Sequence, residues 1–171
     1  MAPEYAFLTR WRVQATADEV FDILADPLAL QRWWPSVYLD VKELKPGDPG
    51  TGMGRVIGLY TKGWLPYTLR WNFTVTESKR PAGFKLLAHG DFEGNGVWTI
   101  VQQGELVEAT YDWRISAEKP LLRYGTFVLR PIFAANHHWA MARGLESLRL
   151  ELRRRRGEVV ADPPGPTFSR R

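Results

Sequence analysis

The side chains best suited to move a proton near neutral pH are the three histidines, His89, His137 and His138. His137 and His138 are adjacent, so on a helix they diverge by about 100° and cannot both face one ion. No His-Glu-x-x-His pattern occurs, and no His/Asp/Glu set has the spacing of a metal site. No metal or cofactor is therefore expected. Asn136 and Arg143 lie seven residues apart and share nearly one helix face. There Arg143 would either seat a carboxylate or phenolate or pair with Glu146 at the surface. Asp91 and Glu93 share a strand face. They suit acid/base work, or they accept backbone N–H bonds around the glycines at 90, 94 and 96. No serine sits in a Gly-x-Ser-x-Gly elbow, and no Gly-x-Gly-x-x-Gly opens a helix, so serine hydrolysis and nucleotide chemistry are not expected. The absence of cysteine excludes disulfides and thiolate chemistry. If the chain is an enzyme, His137, Tyr111, Asn136 and Arg143 are its candidate catalytic residues.

The eight tryptophans carry more information. An indole N–H needs a partner, so several of these rings fit better around a cavity with a few polar groups than in a closed core. Trp71 shares a strand face with Tyr67 and Phe73, and Trp113 shares one with Tyr111. Trp98 alternates with Ile100, while Trp139 and Met141 come from a C-terminal helix. These residues, with His137, are the expected ligand-binding set.

The elements that would hold them follow from periodicity and turn chemistry. Tyr5, Phe7 and Trp11 fall on one face of a first strand over residues 5–13. Thr16 and Glu19 form a Thr-x-x-Glu capping box that opens a helix over residues 17–25. Asp26-Pro27 starts a second short helix, which ends by Trp33-Trp34-Pro35 because the residue before proline avoids the α region. Six strands then follow, over residues 37–43, 54–61, 66–78, 84–92, 96–102 and 105–116. Alternation over 66–78 and 105–116 marks antiparallel strands with one covered face. From about residue 121 to 156 the period becomes helical, with a break or kink expected at Pro131. Ala134, His138, Met141, Leu145, Leu148 and Leu152 form its apolar stripe. Helices segregated from strands indicate an α+β domain.

At 171 residues and 44% hydrophobic, the chain is read as one domain over residues 1–156 with a disordered tail at 157–171. Residues 153–171 carry six arginines against Glu158 and Asp162. That excess equals the net charge of +4, so the rest is balanced. The basic charge is a solvated helix end suited to the helix dipole, and no nucleic-acid partner is expected. No apolar run would insert into a membrane, and no secretory leader is visible. A cytoplasmic monomer or homodimer is the plain expectation.

In this order, several segments resemble the helix-grip fold of the START-like, or Bet v 1-like, superfamily (SRPBCC). These are residues 16–21, Trp33-Trp34-Pro35, residues 90–94, Tyr111-Asp112-Trp113 and residues 136–141. More narrowly, the sequence is similar to the bacterial polyketide cyclase/dehydrase-like branch. The resemblance implies a curved antiparallel sheet of about seven strands wrapped around a long C-terminal helix, with two short helices after the first strand. It also implies an apolar cavity between them. Members bind, transport, cyclise or hydrolyse different compounds, so three functions stay open. One is binding of an apolar, aromatic or polyketide-like small molecule. The second is a cyclase, aromatase or dehydratase acting by proton transfer. The third is an accessory protein with a vestigial cavity.

Overall fold

The computed structural model describes residues 4–117 and 126–168. Strand β1 (Glu4–Gln14) leads into helix α1 (Ala17–Leu24), a 3-10 turn (Pro27–Ala29) and helix α2 (Leu30–Trp33). Six strands follow: β2 (Tyr38–Lys45), β3 (Val56–Lys62), β4 (Thr68–Lys79), β5 (Gly83–Gly90), β6 (Phe92–Gln103) and β7 (Leu106–Ala117). The chain then forms the long helix α3 (Thr126–Arg155). The strands make one curved, open antiparallel sheet in the order β1-β7-β6-β5-β4-β3-β2. Only the β1–β7 pairing joins strands distant in sequence. The other neighbours are consecutive, as short turn-separated runs favour. The expected helix-grip architecture is what the chain adopts.

Two local features anchor the short helices. Thr16 Oγ1 accepts from the Glu19 N–H at 3.2 Å, and the Glu19 carboxylate accepts from the Thr16 N–H at 2.8 Å, so the capping box is formed. The α1 face bearing Val20, Phe21, Ile23 and Leu24 is buried. Gly144 of α3 makes room for the Trp34 ring, since a Cβ there would lie 2.6 Å from its Cε2 atom.

Three expectations for the C-terminal third change. Helix α3 runs through Pro131, which sits in its second turn and gives up only the backbone bond to the residue 127 carbonyl. The inward stripe is also rotated. Phe133, Met141, Leu148 and Leu152 are buried and His137 is largely so, whereas His138 is exposed. Finally, the arginine run, though partly solvated, is engaged with the fold. Glu151, 1% exposed, accepts from Arg32 of α2 at 2.6 and 2.9 Å and from Arg154 and Arg155 at 2.9 Å each. Arg156 donates to Glu19 at 2.8 Å and to the Gln14 carbonyl at 3.0 Å, and Arg153 pairs with Glu158 at 2.7 Å. The segment 157–168, read from sequence as a disordered tail, has its end placed on the sheet. There the Thr167 carbonyl accepts from Lys62 Nζ at 2.8 Å.

Burial pushes the Glu151 carboxyl up, but hydrogen bonds from Arg32, Arg155 and Arg154 outweigh it and hold the group down at about 2. A folded-state pKa below the ordinary value of 4.5 gives stability that is complete above that pH and is lost as pH falls toward 2. Replacing Glu151 by Gln keeps the volume and removes the charge. Because the three arginines stay partly solvated, the cost is about 2 kcal/mol at pH 7 rather than that of a fully buried ion. Urea denaturation of E151Q should show that loss at neutral pH, shrinking as pH is lowered below 4.5.

Candidate functional site

The concave face of the sheet presents a continuous aromatic wall. Register sets it: Trp98 pairs with Tyr111 and Gly96 with Trp113 across β6 and β7. The Trp98 and Tyr111 rings stack at 4.4 Å, and Tyr111 and Trp113 at 5.5 Å. Gly96 is required here, since a Cβ would lie 2.7 Å from the Tyr111 hydroxyl and 2.9 Å from the Trp113 ring. Trp71 of β4 continues the wall, 5.5 Å from Trp113 and 4.8 Å from Phe92. Its position depends on Gly90, at φ +130°, where a Cβ would meet the Trp71 Cα at 2.7 Å. The Trp71 indole N–H donates to Thr61 Oγ1 at 3.0 Å.

Two adjoining lobes of about 140 and 100 Å³ face this wall, the first beneath α3 and the second beneath the stretch from the end of α1 to α2, with Met141 of α3 reaching it. Trp34, Tyr38, Trp71, Tyr111 and Met141 border both, forming a septum. The first lobe is lined further by Tyr5 and Phe7 of β1, Tyr67 before β4, Trp113, and Phe133, Asn136, His137 and Ala140 of α3. The second is lined by Phe73, Trp98, Phe84, Leu86 and Leu30, among others. An apolar cavity of about 150 Å³ accepts a benzene-sized molecule. Each lobe therefore suits one compact ring system, and a longer ligand requires the septum to part.

Apart from Lys62, the polar side chains that border the first lobe are neutral. The His137 ring stacks on Phe7 at 4.2 Å, and its buried Nε2 has no hydrogen-bond partner among the described residues. Burial, helped by His138, pulls its pKa down to about 4, so the imidazole is uncharged at neutral pH. Burial holds the phenols of Tyr38 and Tyr111 well above their ordinary value and pushes Tyr67 to about 12. All three are hydroxyl donors rather than phenolates. Asn136 Oδ1 accepts from the Leu65 N–H at 2.9 Å, tying α3 to the β3–β4 loop.

Of the residues singled out in the sequence, Trp71, Tyr111, Trp113, Met141, Tyr67, His137 and Asn136 border the first lobe. Trp98 and Phe73 border the second. Trp139 borders neither and lies under the Arg143 guanidinium at 5.7 Å, on the outer flank of α3. Arg143 takes the surface alternative and pairs with Glu146 at 2.8 Å. Asp91 and Glu93 likewise take the structural role. Asp91 accepts from the Arg70 N–H at 2.9 Å, and Glu93 contacts the Gly90 N–H at 3.2 Å and His89 Nδ1 at 2.5 Å. Sequence reasoning did not place Trp34, Tyr38 or Lys62 at the site. Trp34 and Tyr38 flank Pro35 without a clear period, and a lysine at a strand end reads as solvated. Among the described residues no His/Cys/Asp/Glu group could hold a metal ion, and no helix is long and apolar enough to cross a membrane.

The sequence signature of the family described as "Polyketide cyclase / dehydrase and lipid transport" matches residues 8–153. No curated protein matches the sequence. Solved structures with a similar fold include the di-domain ARO/CYC protein BexL from the BE-7585A biosynthetic pathway. It shows a TM-score of 0.66 and 13% identity over 85% of this chain and 49% of that one, so this chain spans about half its length. The Zhui aromatase/cyclase from Streptomyces sp. R1128 matches at TM-score 0.65 and 19% identity, over 90% of this chain and 96% of that one. A START superfamily protein from Mycobacterium smegmatis matches at TM-score 0.64 and 16% identity, over 84% and 98%. At these identities the likeness is one of fold.

The buried imidazole makes a direct prediction. Its folded pKa is depressed from 6.5 to about 4, so stability present above pH 6.5 is lost as pH falls toward 4. In an NMR titration the His137 ring signals should stay still down to about pH 5 and move only near pH 4. Replacing His137 by Leu should remove about 3 kcal/mol of the stability decline between pH 6.5 and 4.

Proposed function

Because the chain belongs to the polyketide cyclase/dehydrase and lipid transport family, we propose that it binds an apolar, aromatic or polyketide-like small molecule between its sheet and α3. The observation that carries this reading is the unbroken ring wall from Trp98 through Tyr111 and Trp113 to Trp71, facing unfilled space. Offset and tilted rings at these distances offer stacking surface to a flat ligand. The neutral tips of Tyr38, Tyr111 and His137 can orient a carbonyl or hydroxyl without imposing a charge. The lobe volumes favour a compact ligand over an extended chain.

One observation favours a second reading, proton transfer in a cyclase, aromatase or dehydratase reaction. His137 borders the first lobe, and its buried Nε2 is a neutral, unpartnered nitrogen able to accept a proton from an enolising ligand that reaches it. A base whose pKa has been drawn down to about 4 is a weak one at neutral pH, which places this reading second.

Native mass spectrometry of freshly purified protein should show an added mass from a co-purified apolar compound. Ala140 borders the first lobe, so Ala140→Phe fills it and should abolish that mass while the fold is retained by circular dichroism. Persistence of the adduct in A140F would place the ligand elsewhere and overturn the reading. His137→Phe separates the two functions: a binder keeps its affinity within a few-fold, whereas an enzyme loses turnover by about 100-fold.

A further inference from the structure

The second lobe has a mouth of its own. The two lobes lie at opposite ends of the β3–β4 hairpin: the first at its turn, by Thr61 and Tyr67, and the second at its open end, by Arg55 and Val75. Thr51 borders the second lobe and is exposed, so the lobe reaches solvent between the β2–β3 loop and the turn after α1. Inside, Phe73, Phe84 and Trp98 present buried rings. Arg55 borders the lobe as well, and its carbonyl accepts from the Val75 N–H at 2.9 Å. Arg55 lies two residues before buried Ile57, so strand alternation turns its side chain to the concave face, beside Val75. Glu43, the cross-strand neighbour of Ile57, shares that face and accepts from Arg55 Nε at 2.5 Å. This contact occupies one edge of the guanidinium. Among the described residues no hydrogen bond reaches its two terminal nitrogens, although the side chain is only 23% exposed. The neighbouring Thr51 hydroxyl is already committed, donating to Asp48 at 2.9 Å.

We propose that the second lobe is a separate binding site, entered by this mouth, for a one-ring aromatic ketone. At about 100 Å³ the lobe suits a single ring. The ring lies among Phe73, Phe84 and Trp98, and the ketone oxygen accepts from the terminal nitrogens of Arg55. A guanidinium can serve both partners, because its planar fork presents donors along more than one edge. The charged donor makes a stronger hydrogen bond to the ketone than a hydroxyl would. An uncharged acceptor fits this mouth better than a carboxylate does. Glu43 already compensates the Arg55 charge, and Asp48 adds a second acidic group beside Thr51. The septum stands between this site and the first lobe, so each can fill without the other.

NMR titration of the full chain with acetophenone and its isosteres α-methylstyrene and benzoate tests this. Trp98 borders only the second lobe and Trp113 only the first, so their indole N–H signals report on the two sites separately. Acetophenone should move the Trp98 indole and Arg55 Nε–H signals with a Kd of about 1 mM, the range of so small a ligand. Benzoate should bind there several-fold more weakly. Arg55→Met should weaken acetophenone by about tenfold, the worth of a hydrogen bond to a charged donor, and leave α-methylstyrene within about twofold. Glu43→Gln keeps Arg55 in place, so acetophenone should hold its affinity while benzoate gains. Movement of Trp113 with Trp98 still would remove this site and leave the reading of the first lobe standing. Movement of neither would also overturn the site. Equal weakening of acetophenone and α-methylstyrene by R55M would overturn the role of Arg55. Benzoate binding as tightly as acetophenone would overturn the ligand class.

Discussion

A single buried carboxylate governs where α3 ends and, through that, the shape of the space above the sheet. Glu151 gathers Arg32 from α2 and Arg154 and Arg155 from its own helix. Around it Ser147, Leu148 and Leu152 are sealed against the core. The C-terminal half of the helix is thereby fixed and packed solid. Its other half has no comparable charged clamp among the described residues. It is tied to the β3–β4 loop through Asn136, and between these two attachments the helix stands off the sheet. The first lobe lies along that interval, so the same helix is a core element at one end and a cavity wall at the other.

The wall opposite is chosen for area rather than charge. Its rings touch one another along the strands, and small residues at positions 90 and 96 are what allow them to sit so close. Its polar tips are kept neutral by burial, which suits recognition by contact and hydrogen bonding more than acid/base work. Two cationic residues border the space: Lys62 at the end of β3, where the last described residues of the chain return to meet it, and Arg55, which is paired with Glu43.

The strands were legible because their inward faces obey a period of two. Tyr67, Trp71 and Phe73, and Tyr111 with Trp113, could be assigned to one side without any three-dimensional information, and the structure lines the lobes with them. The capping box at Thr16 and Glu19 was legible for the same reason, being a local rule. The helix was harder. Choosing the apolar residues between 134 and 152 favours position 138, whereas the buried line passes through Phe133, His137 and Ala140, because a cavity does not demand apolar neighbours as a core does. Glu151 and Lys62 were invisible for another reason. Each is a charged residue whose burial depends on partners 119 and 105 positions away, and no local pattern records such a distance.

The tryptophans have an optical consequence. Trp33 and Trp34 lie 5.5 Å apart, Trp34 and Trp11 5.5 Å, and Trp11 and Trp98 5.1 Å, and the series continues through Tyr111 to Trp113 and Trp71. Indoles this close exchange excitation before they emit. Light absorbed at any of the six is shared among them, which strips the emission of its polarisation even in a rigid protein. A quencher beside Trp34, Trp71, Trp98 or Trp113 would then drain the whole set. The molecule carries an antenna whose output reports on the space it encloses.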